Sequence, residues 1–176
     1  MNKASKTIYL ARHAKSSWNS PAQNDFERPL SRRGMADAQR VASELAHRQW
    51  IPEKMISSPA ERAKQTCHAF CEGIHYPQED VIWEPALYGA YTITLLQLIS
   101  HLPEALNSVM LIGHNPAMED CLEHLCDAAV FEKLRQVNGK LFTTSNVARL
   151  HLSVPWKDIV MQQADLESLI RPKALL

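Results

Sequence analysis

The sequence predicts an α/β fold, a three-layer αβα sandwich of helices around a mainly parallel sheet. Three observations carry that prediction. Short β-branched runs alternate with helical patterns along the chain. At 176 residues, with 45% hydrophobic and 22% charged side chains, its composition is that of an ordinary globular protein. A chain of this length can bury a core without disulfide or metal staples. No internal repeat, low-complexity tract or Gly/Ser/Pro-rich linker interrupts it, so residues 1–176 read as one domain.

Thr7 to Ala11 (TIYLA) is a compact apolar strand. Ser31 then caps a helix to about Arg48, with Ala36, Ala38, Val41, Ala42 and Leu45 as its apolar positions. Lys54 to Ser57 reads as a second strand. Ser58-Pro59 supplies a cap followed by proline at the first helical position, opening a helix through about Cys71. Val81 to Trp83 is a third strand, and Thr92 caps a helix from Ile93 to His101. Ser108 to Ile112 is the clearest buried strand and ends at Gly113. Asn115-Pro116 repeats the cap-and-proline signal for a helix through about Asp127. Val147 to Val154 alternates as a strand, and Asp158 to Gln162 is expected to form another. Residues 128–145 carry no clear period, and the tail from Leu166 to Leu176 has no assigned role.

Nineteen basic side chains balance nineteen acidic ones. No global field therefore draws the protein to nucleic acid or an anionic membrane, and any anion site must come from a local arrangement of cations. The apolar stretch near the N-terminus is cut short by Arg12 and His13, too early for a secretion signal. Nowhere do about eighteen apolar residues run together, so the expectation is a cytoplasmic protein that does not enter membranes. Cys67, Cys71, Cys121 and Cys126 form no C-x-x-C pair and read as buried, reduced thiols. No His or Cys pair at ligand spacing points to zinc, and no metal or cofactor is expected.

In open parallel sheets, ligands bind beyond the carboxyl ends of the strands. Arg12 and His13 follow the first strand. Ser58-Pro59-Ala60-Glu61-Arg62 follows the second and puts Arg62 in the first turn of a helix. Gly113-His114-Asn115-Pro116 follows the fourth, with His114 beside a helix N-terminus. Taken singly, each has an ordinary explanation: a satisfied polar residue at a strand end, or an arginine on a solvated helix face. Together they deliver two arginines and two histidines to one sheet edge. An arginine in a first helical turn opposes the helix dipole unless it has an anion to meet, and the helix amides there point at the same anion.

Phosphate suits such a site, because guanidinium forks match phosphoryl oxygens. Phosphoryl transfer asks mostly for positioning and charge stabilisation. At an effective dielectric near 20, each charge contact about 4 Å away is worth about 4 kcal/mol before desolvation. A neutral imidazole can serve as the nucleophile.

Leu10 to Asn19 (LARHAKSSWN) resembles the Arg-His-Gly signature of the histidine phosphatase superfamily, which includes the cofactor-dependent phosphoglycerate mutases. Asp25 to Gly34 (DFERPLSRRG) is similar to the next family block. Ser57 to Thr66 (SSPAERAKQT) and Leu111 to Pro116 (LIGHNP) complete the set. Order and spacing resemble most closely the short SixA-type phosphohistidine phosphatases, over nearly the whole chain. The resemblance implies a phosphoglycerate mutase-like sandwich. It implies that His13 becomes transiently phosphorylated, with Arg12, Arg62 and His114 forming the pocket around the phosphoryl group. Ser16 and Asn19 match family positions that also contact the phosphate.

Ala14 stands where many relatives have Gly, and a small side chain still fits. Phosphoester-cleaving relatives carry a carboxylic acid after the third strand. Glu84 lies in that region, but the residues after it (PALYG) do not reproduce their motif. A missing acid has a chemical meaning: an imidazole leaving from a P–N bond needs less help from an acid than an alkoxide does. Only a turn and a short helix separate Tyr88 from the strand at Val109, so no inserted lid is expected and the site is open to a protein surface.

The expected function is a metal-independent phosphatase acting on protein phosphohistidine through phospho-His13. Its partner would be a phosphohistidine-bearing protein such as a histidine phosphotransfer domain. One alternative is a phosphatase for small phosphorylated metabolites, sugar phosphates or nucleotides, with Glu84 as proton donor. A second alternative is a non-catalytic phospho-binding module. No nucleic-acid or membrane partner is expected.

Overall fold

The strands form where apolar runs can be buried on both faces, and β1 (Lys6–Arg12) sits among them as the hub of a six-stranded sheet. In this computed structural model, which describes residues 5–135 and 139–175, the sheet order is β3-β2-β4-β1-β5-β6. β2 (Lys54–Ser57), β3 (Ile82–Trp83) and β4 (Ser108–Gly113) run parallel to β1 or to one another. β5 (Val147–Leu152) and β6 (Ala164–Ile170) are antiparallel. The register pairs Arg12 with Gly113 and Ser57 with Ile112, so three parallel strands end level with one another.

Alternation along each strand sends side chains to two cores. Ile8, Leu10, Ile56, Val109 and Leu111 pack toward α3 (Thr92–Ser100), α4 (Ala117–Leu125) and the short α5 (Ala129–Glu132). Tyr9, Ala11, Met55, Met110 and Ile112 pack toward α1 (Arg32–His47) and α2 (Glu61–Ile74). The result is the expected αβα sandwich. All four cysteines are buried and free.

The first turn of α1 positions the loop after β1. The Ser31 hydroxyl accepts from the Gly34 amide (3.0 Å) and donates to the Lys15 carbonyl (3.0 Å), which also accepts from the Ser31 amide (2.8 Å). A Cβ on Gly34 would lie 2.0 Å from the Lys15 oxygen, so only glycine lets the helix approach this close. Deeper in the sandwich, Ala38, Val41, Ala42 and Leu45 bury one face of α1.

Several boundaries differ from the sequence reading. α2 starts at Glu61 with Ala60 as its cap residue, because the Ser58 hydroxyl is engaged elsewhere. α4 follows a cis Asn115–Pro116 bond and starts at Ala117, while Asn115 directs its amide to Glu119 and Phe142. Tyr91 rather than Thr92 is the cap residue of α3. The strand expected over residues 158–162 is absent, and Trp156–Asp158 is a short 3-10 turn. The last strand is β6, which takes up much of the tail that carried no assignment. Its pairing with β5 shifts register between Arg149 and Leu150, and that irregularity blurs a period-two reading. No helix among the described residues is long and apolar enough to cross a membrane.

Candidate active site

At the end of β1 the backbone is held on several sides. The His13 amide donates to the Gly113 carbonyl (3.0 Å), and the Ala14 amide donates to the Thr66 hydroxyl of α2 (3.0 Å). The carbonyls of Arg12 and His13 both accept from the Ser145 amide at 3.2 Å. Ala14 is fully buried in this frame.

His13 is 8% exposed. Its Nδ1 lies 2.7 Å from the Ala14 carbonyl oxygen, a group that can only accept, so Nδ1 carries the proton. Nε2 is then the free lone pair, and Arg62 Nε donates to it at 3.3 Å. The His114 ring stands 4.9 Å away, centroid to centroid. The Ser58 hydroxyl accepts from the Ala60 amide (3.3 Å) and lies 2.8 Å from His114 Nε2.

The structure brings His13, Arg12, Arg62 and His114 to one cavity of about 230 Å³, which Ser16 also lines. Asn19 does not line it and is exposed. Glu84 is turned away: its carboxylate accepts from the Ala86 amide (2.9 Å) and lines a different hollow with Thr94 and His101. No Asp or Glu is found among the described residues lining the His13 cavity.

Arg28 and Trp18 line the cavity as well, and sequence reasoning gave them no role there. The Arg28 guanidinium stacks on the Trp18 ring, 3.6 Å from its centroid, and pairs through Nε with Asp25 at 3.0 Å. The available signal was Arg28-Pro29 in the second motif block, since a residue before proline is held extended. Asp25 was also overlooked. It clasps Arg62 through its carbonyl (2.6 Å) and its carboxylate (2.9 Å), and it accepts from the Tyr88 hydroxyl (3.1 Å).

Four buried nitrogens of cavity residues lack a hydrogen-bond partner among the described residues: Arg12 Nε, Arg28 Nε and Nη1, and His114 Nδ1, of which Arg28 Nε has only its ion pair with Asp25. Each orphaned donor costs about 1–3 kcal/mol, and the cost is larger for charged groups. Bound oxyanion oxygens would satisfy such donors. Burial lowers the His13 pKa to about 3, helped by the nearby charges of His114, Arg62 and Arg12 and opposed by the Ala14 hydrogen bond. Burial also lowers His114 to about 4, with Arg62 and Arg12 adding and Asp25 opposing. Both rings are neutral at pH 7. Burial pushes the Asp25 carboxyl up, but the Arg62 charge, the Tyr88 and Arg62 hydrogen bonds and the Arg28 charge more than offset it, so Asp25 is an anion.

Residues 8–88 match the model of the histidine phosphatase superfamily, branch 1. A SixA from Agrobacterium tumefaciens, described as a candidate phosphohistidine phosphatase, is 32% identical and superposes with a TM-score of 0.78, covering 95% of this chain and 98% of its own. The chain belongs to the histidine phosphatase superfamily. Within that superfamily it is of the SixA type. Another relative in sequence is an uncharacterized chloroplastic protein of Arabidopsis thaliana, 31% identical over 96% of this chain and 78% of its own. The superfamily's phosphoglycerate mutase-like fold is shared by a phosphoglycerate mutase of Bacillus anthracis at 14% identity, with a TM-score of 0.66 over 99% of this chain and 96% of that one.

Proposed function

We propose that this phosphatase hydrolyses protein phosphohistidine through a phospho-His13 intermediate. In the first step the Nε2 lone pair forms a bond to phosphorus as the substrate's P–N bond breaks. The leaving imidazole keeps the bonding electron pair and departs neutral when its other nitrogen already carries a proton. His13 becomes a phosphorylated, cationic ring whose Nδ1–H is stabilised by the Ala14 carbonyl 2.7 Å away. In the second step water attacks phosphorus, the bond to Nε2 breaks, and orthophosphate leaves with the water's oxygen. His13 returns to its starting tautomer.

Arg12, Arg28, Arg62 and His114 would donate to the equatorial oxygens during both steps. Asn19 has no role in this scheme, and Ser16 is a wall of the cavity. The observation that carries the substrate reading is the lack of a carboxyl group on the described cavity wall beside an unprotonated His13 Nε2. An alkoxide leaving group would need such an acid, whereas a protonated phosphoramidate does not.

The test is turnover of a phosphorylated histidine phosphotransfer domain against a panel of sugar phosphates and nucleotides, together with isotope labelling of the enzyme. Preference for the phosphoprotein is expected, with an acid-labile label that His13→Ala abolishes. Efficient ester hydrolysis lost in Glu84→Gln would favour the small-phosphoester alternative instead. Phosphate binding without turnover or label would favour the binding-module alternative.

A further inference from the structure

A groove leads away from the catalytic cavity. The next hollow, about 340 Å³, shares Arg12, Lys15 and Thr144 with the cavity. It merges into an outer one of about 190 Å³ through Lys15, Lys140, Thr143 and Thr144. The outer end is walled by Arg33, Asp37 and Lys173. Across the two hollows five cations, Arg12, Lys15, Arg33, Lys140 and Lys173, face two carboxylates.

Both carboxylates are already engaged, Glu119 by groups outside the five cations and Asp37 in part by Arg33, one of the five. Asp37 lies between Arg40 (2.8 Å) and Arg33 (3.5 Å). Glu119 accepts from the Asn115 side chain (2.8 Å) and the Phe142 amide (3.3 Å), and Arg135 lies 3.8 Å from it. The groove is therefore positive in a chain whose formal net charge is zero. Lys15, Arg33 and Lys173 are exposed. Arg32 and Arg33 also occupy the first turn of α1, which holds no acidic residue, so two cations sit at the end where the helix dipole disfavours them.

We propose that this groove docks carboxylates of the protein that carries the phosphohistidine, on the segment flanking the phosphorylated residue. The proposal rests on the phosphohistidine reading and names what that substrate presents beside its phosphoryl group. A second phosphate group fits less well. At the outer end Arg33 is shared with Asp37, and no converging pair of guanidiniums matches the one at His13. Spread, solvated cations suit several carboxylates and act mainly on the rate of encounter.

The test uses two synthetic histidine peptides phosphorylated with phosphoramidate, one flanked by glutamates and the other by glutamines. The wild-type protein is expected to favour the glutamate peptide about tenfold in kcat/KM at low ionic strength, a preference that shrinks with added salt. In Arg33→Gln/Lys173→Glu that preference should fall to about twofold or less, with turnover of the glutamine peptide unchanged. A wild type that treats the peptides alike, or a variant that keeps the full preference, overturns the docking proposal alone. So does a variant whose only loss is on a bisphosphorylated sugar, which would point to a second phosphate subsite. If neither peptide is turned over while phosphoesters are, the phosphohistidine reading falls and the docking proposal falls with it.

Discussion

Asp25 grips Arg62 at two points, with its backbone carbonyl 2.6 Å from Nη1 and its carboxylate 2.9 Å from Nη2. Nε, one of the three N–H donors left over, is thereby turned toward His13 Nε2. An arginine is a long, mobile side chain, and this clasp removes its freedom before substrate arrives. Asp25 in turn is braced by the Tyr88 hydroxyl at 3.1 Å.

Replacing Asp25 should therefore act on the position of Arg62 rather than on chemistry of its own. Asp25→Ala is expected to lower kcat/KM by about tenfold, and Asp25→Asn should recover part of that, because its amide oxygen can still accept from Nη2 while the backbone grip is common to both variants. Steady-state kinetics on one phosphorylated substrate would check this. An Asp25→Ala protein with wild-type kinetics would show that the clasp is idle.

Arg62 itself should matter more. Arg62→Ala is expected to cost roughly 10²- to 10³-fold in kcat, as for loss of a transition-state donor. Lysine should not replace it, since a point charge cannot both meet Asp25 and donate near Nε2. A loss below threefold in single-turnover measurements would remove Arg62 from the role.

Arg28 is one of the residues the motifs did not assign, and its Nη1 is buried without a hydrogen-bond partner among the described residues. Arg28→Ala should weaken binding of an inorganic oxyanion such as vanadate by at least several-fold. Trp18→Ala should do so to a smaller degree, because the indole only backs the guanidinium. Unchanged vanadate inhibition in Arg28→Ala would place the side chain outside the phosphoryl site.

The two histidines make stability sensitive to acid. Their folded pKa values, about 3 for His13 and about 4 for His114, lie below the ordinary value of 6.5. The unfolded chain therefore binds more protons below pH 6.5, and stability falls as pH drops from there toward 3. Each histidine can contribute a slope of up to about 1.4 kcal/mol per pH unit in that window and almost none above it. Urea unfolding at pH 7.5 and pH 5 should show the loss, and His13→Gln should reduce it. A midpoint equally pH-dependent in that variant would contradict the assignment.

Gly34 tests how the loop after β1 is supported. Gly34→Ala puts a methyl group 2.0 Å from the Lys15 carbonyl oxygen, so backbone must move. A loss of about 1–3 kcal/mol in stability is expected, together with lower turnover as the loop shifts. Thermal unfolding and kinetics measured on the same preparation would reveal whether both effects occur.

The elements that sequence reading placed well are those where one local signal dominates. β1 and β4 are continuous apolar runs because both of their faces are covered, and α1 announces itself through Ser31 and its spaced apolar positions. β6 was missed because charged and polar residues (Asp165, Glu167, Ser168) fall on an edge strand whose pairing slips beside Arg149. Ser58 and Asn115 looked like helix caps because their types favour caps. Tertiary partners claimed both side chains, His114 for the first and Glu119 with Phe142 for the second.

Sequence alone determined that three strand ends would carry Arg12-His13, Arg62 and His114, since period and proximity to a strand end are local properties. Only the tertiary structure decided that Glu84 faces another hollow, that Arg28 joins the cavity and that Asp25 orients Arg62. Those outcomes depend on contacts such as the one between Asp25 and Arg62, 37 positions apart. Which of several possible partners a polar side chain meets at that separation is set by how the layers pack, and residue type does not encode it.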